Sequence, residues 1–307
     1  MSAQIKLFDF FQQYLNYFCQ KNKNTLRAKR ADIDDFVNFC QYFYGLSQIA
    51  KLSLQHWNEH VTGRYVEHLE SKGASYSTIA RRIATLKHVT HAMRRFYPDF
   101  SSPMDTFKTP RKQVRQFRFV STDEEQVLRS NAKKRLKEKE SFIRLRNQAL
   151  FDILIGSGLR VEEARILQMT QLDEDCEWLA SVRAKTGTYR NIPLTEQATE
   201  ALRCYLPARA EKIHALIGDL PNEVAAELPI FVSSYNAQIS TPHSFRMGQK
   251  SIWRAINEIS SENKVNPHSL RHTFAKRLIE RSEDLQQVQK VLGHSDLRVT
   301  RLYTGSN

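Results

Sequence analysis

Apolar side chains recur at helical spacing from the first residues of the chain. Ile5, Phe8, Phe11, Leu15 and Phe18 stand three or four positions apart, which predicts a helix with one apolar face. A second helix is expected from about Thr25, carrying Ile33, Phe36, Val37 and Phe39. A third is expected from about Ser53, through Val61, Tyr65 and Leu69 to a C-cap at Gly73. A fourth is expected from Ser77, burying Ile79, Ile83, Leu86, Met93 and Phe96. Its other face carries Arg81, Arg82, Lys87, Arg94 and Arg95, without the acidic neighbours usual on a solvated helix.

The periodicity stops between Pro98 and about Phe119. Pro98, Pro103 and Pro110 interrupt the chain there, and Lys108, Arg111, Lys112, Arg115 and Arg118 follow with no acid after Asp105. This composition predicts a basic linker. Ser121-Thr-Asp-Glu124 then reads as a capping box opening a helix. Helices are also expected over 146–156, up to Leu167, over 195–215 and near 245–262, 268–282 and 284–292. Short strands are expected at Trp178–Val182, Asn191–Leu194 and Leu228–Val232, the first two joined by a turn at Thr186-Gly187. The expected class is mainly α with a small β-sheet in the C-terminal domain. Residues 1–100 would form a helical domain, 101–119 a basic linker and 120–307 a second domain.

Composition sharpens this picture. The 307 residues are 41% hydrophobic and 26% charged, a balance that supports a sizeable core. No stretch approaches the ~20 apolar residues of a membrane span, and the N-terminus lacks the form of a secretory signal. Cys19, Cys40, Cys176 and Cys204 are scattered and read as reduced thiols of a cytosolic protein. The formal charge of +13 is shared by both halves, so it is not a detachable tail. Such an excess suits a polyanionic partner, nucleic acid above all. Arg81, Arg82 and Lys87 on the fourth helix and Arg111, Lys112 and Arg115 in the linker are therefore candidate DNA-backbone contacts.

Three clusters in the second domain carry candidate chemistry. Asn266-Pro-His268-Ser-Leu-Arg271-His272 opens a helix, with Pro267 suited to its first turn. His268 and Arg271 are three apart and reach one side of that helix. Leu292-Gly293-His294 follows the next helix, before a segment ending at Tyr303. Gly158-Leu-Arg160-Val-Glu-Glu163 is the third cluster.

Taken together and in this order, these blocks resemble the tyrosine recombinases, the phage-integrase and Xer-type site-specific DNA recombinases. His268-Ser-Leu-Arg271-His-Thr-Phe-Ala and Val288-Gln-Lys-Val-Leu-Gly293-His294 through to Tyr303-Thr carry the resemblance. Gly158-Leu-Arg160-x-x-Glu163 resembles the family's first arginine box. Ala184-Lys185-Thr-Gly-Thr-Tyr-Arg190-Asn-Ile-Pro193 is similar to its hairpin lysine segment. The first hundred residues more loosely resemble the family's four-helix core-binding domain.

The resemblance implies a nucleophilic mechanism. Tyr303 would attack a DNA phosphodiester to give a 3′-phosphotyrosyl link and a free 5′-hydroxyl. Arg160 and Arg271 would hold the phosphate oxygens with planar, permanently charged forks. Lys185 would protonate the departing 5′-oxygen. His268 would serve as acid/base or phosphate hydrogen-bonder, His294 would hydrogen-bond the phosphate and Glu163 would support Arg160. His272 is expected to be structural. Arginines supply the charge, and the chain has neither a P-loop nor a metal-ligand cluster, so no metal or cofactor is expected.

The implied partner is double-stranded DNA with inverted-repeat core sites. The implied assembly is a homotetramer on synapsed duplexes in the bacterial cytoplasm, at the nucleoid when acting, with room for an accessory recombinase or host factor. Two departures from the family pattern stand out. Ala184 and Thr186 flank the hairpin lysine where glycines are usual. The sequence ends four residues after Tyr303, where many relatives continue with a helix that docks on a neighbouring protomer. These features incline the expectation toward integration, excision or transposition of a mobile element. Xer-type resolution of chromosome or plasmid dimers is the alternative. A type IB topoisomerase or a non-catalytic DNA-binding relative stands further off.

Overall fold

The computed structural model describes residues 5–19, 23–98, 100–108, 118–138, 141–184, 187–233, 242–260, 265–281 and 284–293. The chain divides into two compact units, Met1–Arg115 and Gln116–Asn307.

The first unit holds α1 (Leu7–Phe18), α2 (Lys23–Phe43), α3 (Glu59–Ser71) and α4 (Tyr76–Met93). The buried face of α1 is Leu7, Phe10, Phe11, Tyr14 and Leu15, one position round from the expected one, and Phe8 is exposed. Phe10 and Phe11 are the reason: both rings meet Trp57, and Phe36 packs against Trp57 and Tyr65 in the same aromatic core. Ser53 opens a short 3-10 turn, its N–H donating to His56 Nδ1 at 2.9 Å, rather than starting α3. Asn58 caps α3, accepting the Val61 N–H at 2.9 Å. Ser75, not Ser77, caps α4.

The expectation that the basic face of α4 lacks acidic partners is corrected by α2. Arg81 pairs with buried Asp32, which also accepts from Thr85, and Arg82 pairs with Asp35 at 2.5 Å. Within-helix spacing does not show such partners, because they arrive from another helix. Lys87 is half-buried.

The second unit holds α5 (Thr122–Glu138), α6 (Phe142–Ser157), α7 (Val161–Ile166), β1 (Trp178–Arg183), β2 (Tyr189–Pro193), α8 (Glu196–Ile217), α9 (Asn222–Glu227), α10 (Gln249–Ser260), α11 (Pro267–Arg281) and α12 (Leu285–Leu292). Ser121 caps α5 as its motif predicts, accepting the Glu124 N–H at 3.1 Å. Helix α6 is the axis of this unit, buried from Ala149 to Ile155, and α5, α8, α10 and α11 pack around it. Strands β1 and β2 are antiparallel, with Val182 opposite Arg190 and Leu179 opposite Ile192. A register shift lies between Leu179 and Val182, where Ser181 adopts φ +50°.

Leu228–Val232 is not a strand. Among the described residues, only isolated bridges form there, Gln168 with Pro229 and Val232 with Arg246. Pro229 offers no N–H, and the carbonyls of Pro229 and Ile230 are taken by the buried Arg209 guanidinium. Among the described residues, no helix is long and apolar enough to cross a membrane.

Candidate active site

The site is assembled where α6 ends. Gly158 terminates that helix in the left-handed conformation, φ +62°, and Leu159 is buried just beyond it. Arg160 stands at the N-cap of α7, and the turn back into helix brings Glu163 onto it. Arg160 donates to Glu163 twice, from its backbone N–H to Oε2 and from Nη1 to Oε1, both at 2.9 Å. Its Nη2 donates to the Gly293 carbonyl at 3.0 Å. The side chain remains 28% exposed.

Arg271 reaches the same carboxylate from α11. Asn266 caps this helix, its Oδ1 accepting the N–H groups of His268 and Ser269 at 3.0 Å, with Pro267 in the first turn. Arg271 is 6% exposed. It donates to the Gly158 carbonyl from Nη1 and to the Leu292 carbonyl from Nη2, the latter at 2.7 Å. Its Nη1 lies 4.0 Å from Glu163 Oε2. The two arginines therefore share one carboxylate and bind successive carbonyls, Leu292 and Gly293, at the end of α12. His268, one turn before Arg271, is exposed. His272 is half-buried, and burial, with the nearby charges of His268 and Arg271, pulls its pKa down to about 4. It is neutral at physiological pH, in keeping with a structural part.

A third arginine joins them. Arg190, on β2, donates to Glu163 Oε2 from Nη2 at 2.8 Å and to Oε1 from Nη1 at 3.4 Å. It lies within the segment that suggested the hairpin lysine, yet nothing in its spacing marks it out. An arginine three residues beyond a turn glycine is indistinguishable from a solvated one until its partner is known. Glu163 itself is 4% exposed. Burial would raise its pKa, but hydrogen bonds from Arg190 and Arg160 outweigh that and hold the carboxyl below its ordinary range. Beside Glu163 lies a cleft of about 350 Å³, walled by Gln168, Gln171, Arg183, Tyr189 and Arg246.

Of the sequence-derived site, the structure brings Arg160, Glu163 and Arg271 together, with His268 on the same helix as Arg271. Lys185, His294 and Tyr303 lie outside the described residues, as do Arg111, Lys112 and Arg115. Gly293, directly before His294 in the chain, is described and adopts φ +62° against Arg190 and Ala184. Among the described residues, no group of three or more His, Cys, Asp or Glu side chains is placed to hold a metal ion.

Residues 118–307 match the model of the phage integrase family, and residues 8–95 match that of the phage integrase N-terminal SAM-like domain. The chain belongs to the phage integrase family. Membership makes it a tyrosine recombinase, a site-specific DNA recombinase. Similar family members include tyrosine recombinase XerC of Pseudomonas fluorescens, 27% identical over 95% of this chain and 91% of the relative. XerC of Chlorobaculum parvum is 29% identical over 98% and 90%. Among solved structures, the Tn1549 transposon integrase bound to transposon right end DNA has a TM-score of 0.67 at 16% identity, covering 97% of this chain and 95% of that one. A lambda integrase dimer bound to a core site has a TM-score of 0.66 at 15% identity, covering 99% and 79%. These likenesses show that the fold is that of the family.

Proposed function

We propose that the chain cuts and rejoins DNA strands through Tyr303. The tyrosine oxygen attacks phosphorus, the bond to the 5′-oxygen breaks, and the 5′-oxygen takes a proton from Lys185. A 5′-hydroxyl from the partner duplex then attacks the phosphotyrosine, restoring the tyrosine and joining the new strand. Arg160 and Arg271 bind the non-bridging oxygens where negative charge builds up. His268 manages the tyrosine proton or binds phosphate, and His294 donates to phosphate. The observation that carries this reading is the arginine pair, fixed on Glu163 and on the last carbonyls of α12. The pair is anchored before substrate arrives, so little reorganisation is needed when charge develops.

In this reading, residues 1–100 grip the duplex as a core-binding domain, residues 101–119 track the backbone, and residues 120–307 carry catalysis. Double-stranded DNA is the substrate, with inverted-repeat sites synapsed by four protomers in the cytoplasm. The unusual flanks of Lys185 favour integration, excision or transposition of a mobile element. Xer-type dimer resolution is a second reading, favoured by near-full-length similarity to proteins named XerC.

Covalent trapping tests both. Purified protein is mixed with nicked fragments of its source DNA, quenched with SDS, and the adducts are sequenced beside Tyr303→Phe. Adducts at one inverted-repeat sequence from wild type alone support the mechanism, and the genes flanking that sequence separate the two roles. DNA binding without any adduct would overturn the proposed cleavage.

A further inference from the structure

We propose that Arg190 is a positioning residue for strand cleavage: it braces Glu163 and so sets the guanidinium of Arg160. The inference rests on the function proposed above and extends it to a residue with no assigned part.

Three observations carry it. First, Arg190 shares both carboxylate oxygens with Arg160. Oε2 accepts from Arg190 Nη2 at 2.8 Å and from the Arg160 backbone at 2.9 Å, while Oε1 accepts from Arg190 Nη1 at 3.4 Å and Arg160 Nη1 at 2.9 Å. Second, Arg190 lies against Arg160's other partner. A Cβ on Gly293 would stand 3.0 Å from Arg190 Nη1, and the Gly293 carbonyl is the one that accepts Arg160 Nη2. Both described partners of Arg160 are thus backed by Arg190. Third, Arg190 is only 11% exposed, and its Nε is buried without a partner among the described residues. An arginine so enclosed is placed to act through Glu163 rather than as a solvent-facing backbone contact.

The backbone is suited to this. Arg190 pairs with Val182 across the hairpin, and the Ala184 N–H bonds the Thr188 carbonyl at 2.8 Å, so the stem delivers the guanidinium from a paired strand. Without Arg190, Glu163 keeps Arg160 three residues away and Arg271 at 4.0 Å, but loses the hydrogen bonds that reach it from the hairpin. The charged groups facing Glu163 are Arg160 from α7, Arg190 from β2 and Arg271 from α11, with Arg183 and Arg246 along the adjoining cleft. Removing one of three close cations from a buried carboxylate makes its protonation easier.

The test is single-turnover cleavage by the full chain on a nicked duplex carrying the trapped site, at saturating protein, across pH. Arg190→Met is expected to slow adduct formation roughly 10- to 100-fold, the scale of a small misplacement of a phosphate-holding group. DNA affinity stays unchanged, and the deficit deepens as pH falls because Glu163 then takes a proton at higher pH than in wild type. Arg190→Lys recovers part of the rate. In Arg190→Met with Glu163→Gln, the extra acid-side loss disappears. Weakened DNA affinity in step with the rate would instead make Arg190 a direct DNA contact. A pH-independent loss accompanied by a lower melting temperature would make it purely structural, and no loss would remove it from the site. A wild type that gives no Tyr303-dependent adduct would overturn the cleavage mechanism, and this inference with it.

Discussion

The ring of Phe274 occupies the space that a Cβ on Gly158 would need: such an atom would overlap Phe274 Cδ1. Gly158 also has φ +62°, and its carbonyl accepts Arg271. One glycine thus ends α6, admits α11 and holds a catalytic arginine candidate. Gly158→Ala is expected to destabilise the protein by roughly 2–4 kcal/mol, combining left-handed strain with overpacking. Adding Phe274→Ala should recover the overpacking part. Denaturant unfolding of the single and double variants checks this, and a double variant no more stable than the single would contradict it.

Arg160 and Arg271 should separate under the same substitution. Either one changed to lysine loses the planar fork and should slow adduct formation by about 100-fold, the scale of losing an oxyanion donor. Arg271→Lys should also destabilise the fold by about 2–3 kcal/mol, because Arg271 is buried and ties α11 to the Gly158 and Leu292 carbonyls. Arg160, more exposed, should leave the melting temperature nearly intact. Paired melting and cleavage measurements decide it.

Glu163 should couple stability to pH in a defined direction. Its folded pKa lies below the ordinary 4.5, so its contribution is present above that value and is lost as pH falls through the lower folded value. Glu163→Gln leaves three arginines facing a neutral amide and should be less stable than wild type by about 3–5 kcal/mol at pH 7. The gap should narrow as pH falls below 4.5 and Glu163 takes up its proton. A gap that stays constant on acidification would show that the carboxylate charge is not what holds the cluster.

Asp152 should act in the opposite sense. It is buried on α6 beside Arg129 and Gln148, and burial outweighs these partners to bring its pKa from 3.8 up to about 6. The folded state therefore holds the proton longer than the unfolded one, and stability falls as pH rises from about 4 through 6. Relative to Asp152→Asn, wild type should lose on the order of 3 kcal/mol across that window. Urea unfolding at pH 4 and pH 7 measures it.

On α4, the basic residues should divide by their partners. Arg82 is paired with Asp35, which also accepts the Tyr65 hydroxyl at 2.6 Å. Arg82→Ala should lower stability along with DNA affinity, whereas Lys87→Ala should lower affinity alone. If Lys87 touches a phosphate, the slope of log affinity against log salt should shrink by about one. An unchanged slope would take Lys87 off the DNA.

Much of this protein was determined by the order of its residues. The helix periodicities and the caps at Ser121 and Asn266 are local. They depend on spacing along the chain, so most elements, and the Arg160, Glu163 and Arg271 that the structure brings together, could be read directly. What packing decided is which side chains meet. The buried face of α1 turned by one position because two rings sought Trp57. Asp32 and Asp35 reached Arg81 and Arg82 from another helix. Pro229 and Arg209 together prevented a strand that its apolar residues suggested. Arg190 became part of the site only because a paired hairpin carries it to a carboxylate 27 positions earlier in the chain. Charges buried together hold one another by distance and desolvation, and neither is a property of sequence separation.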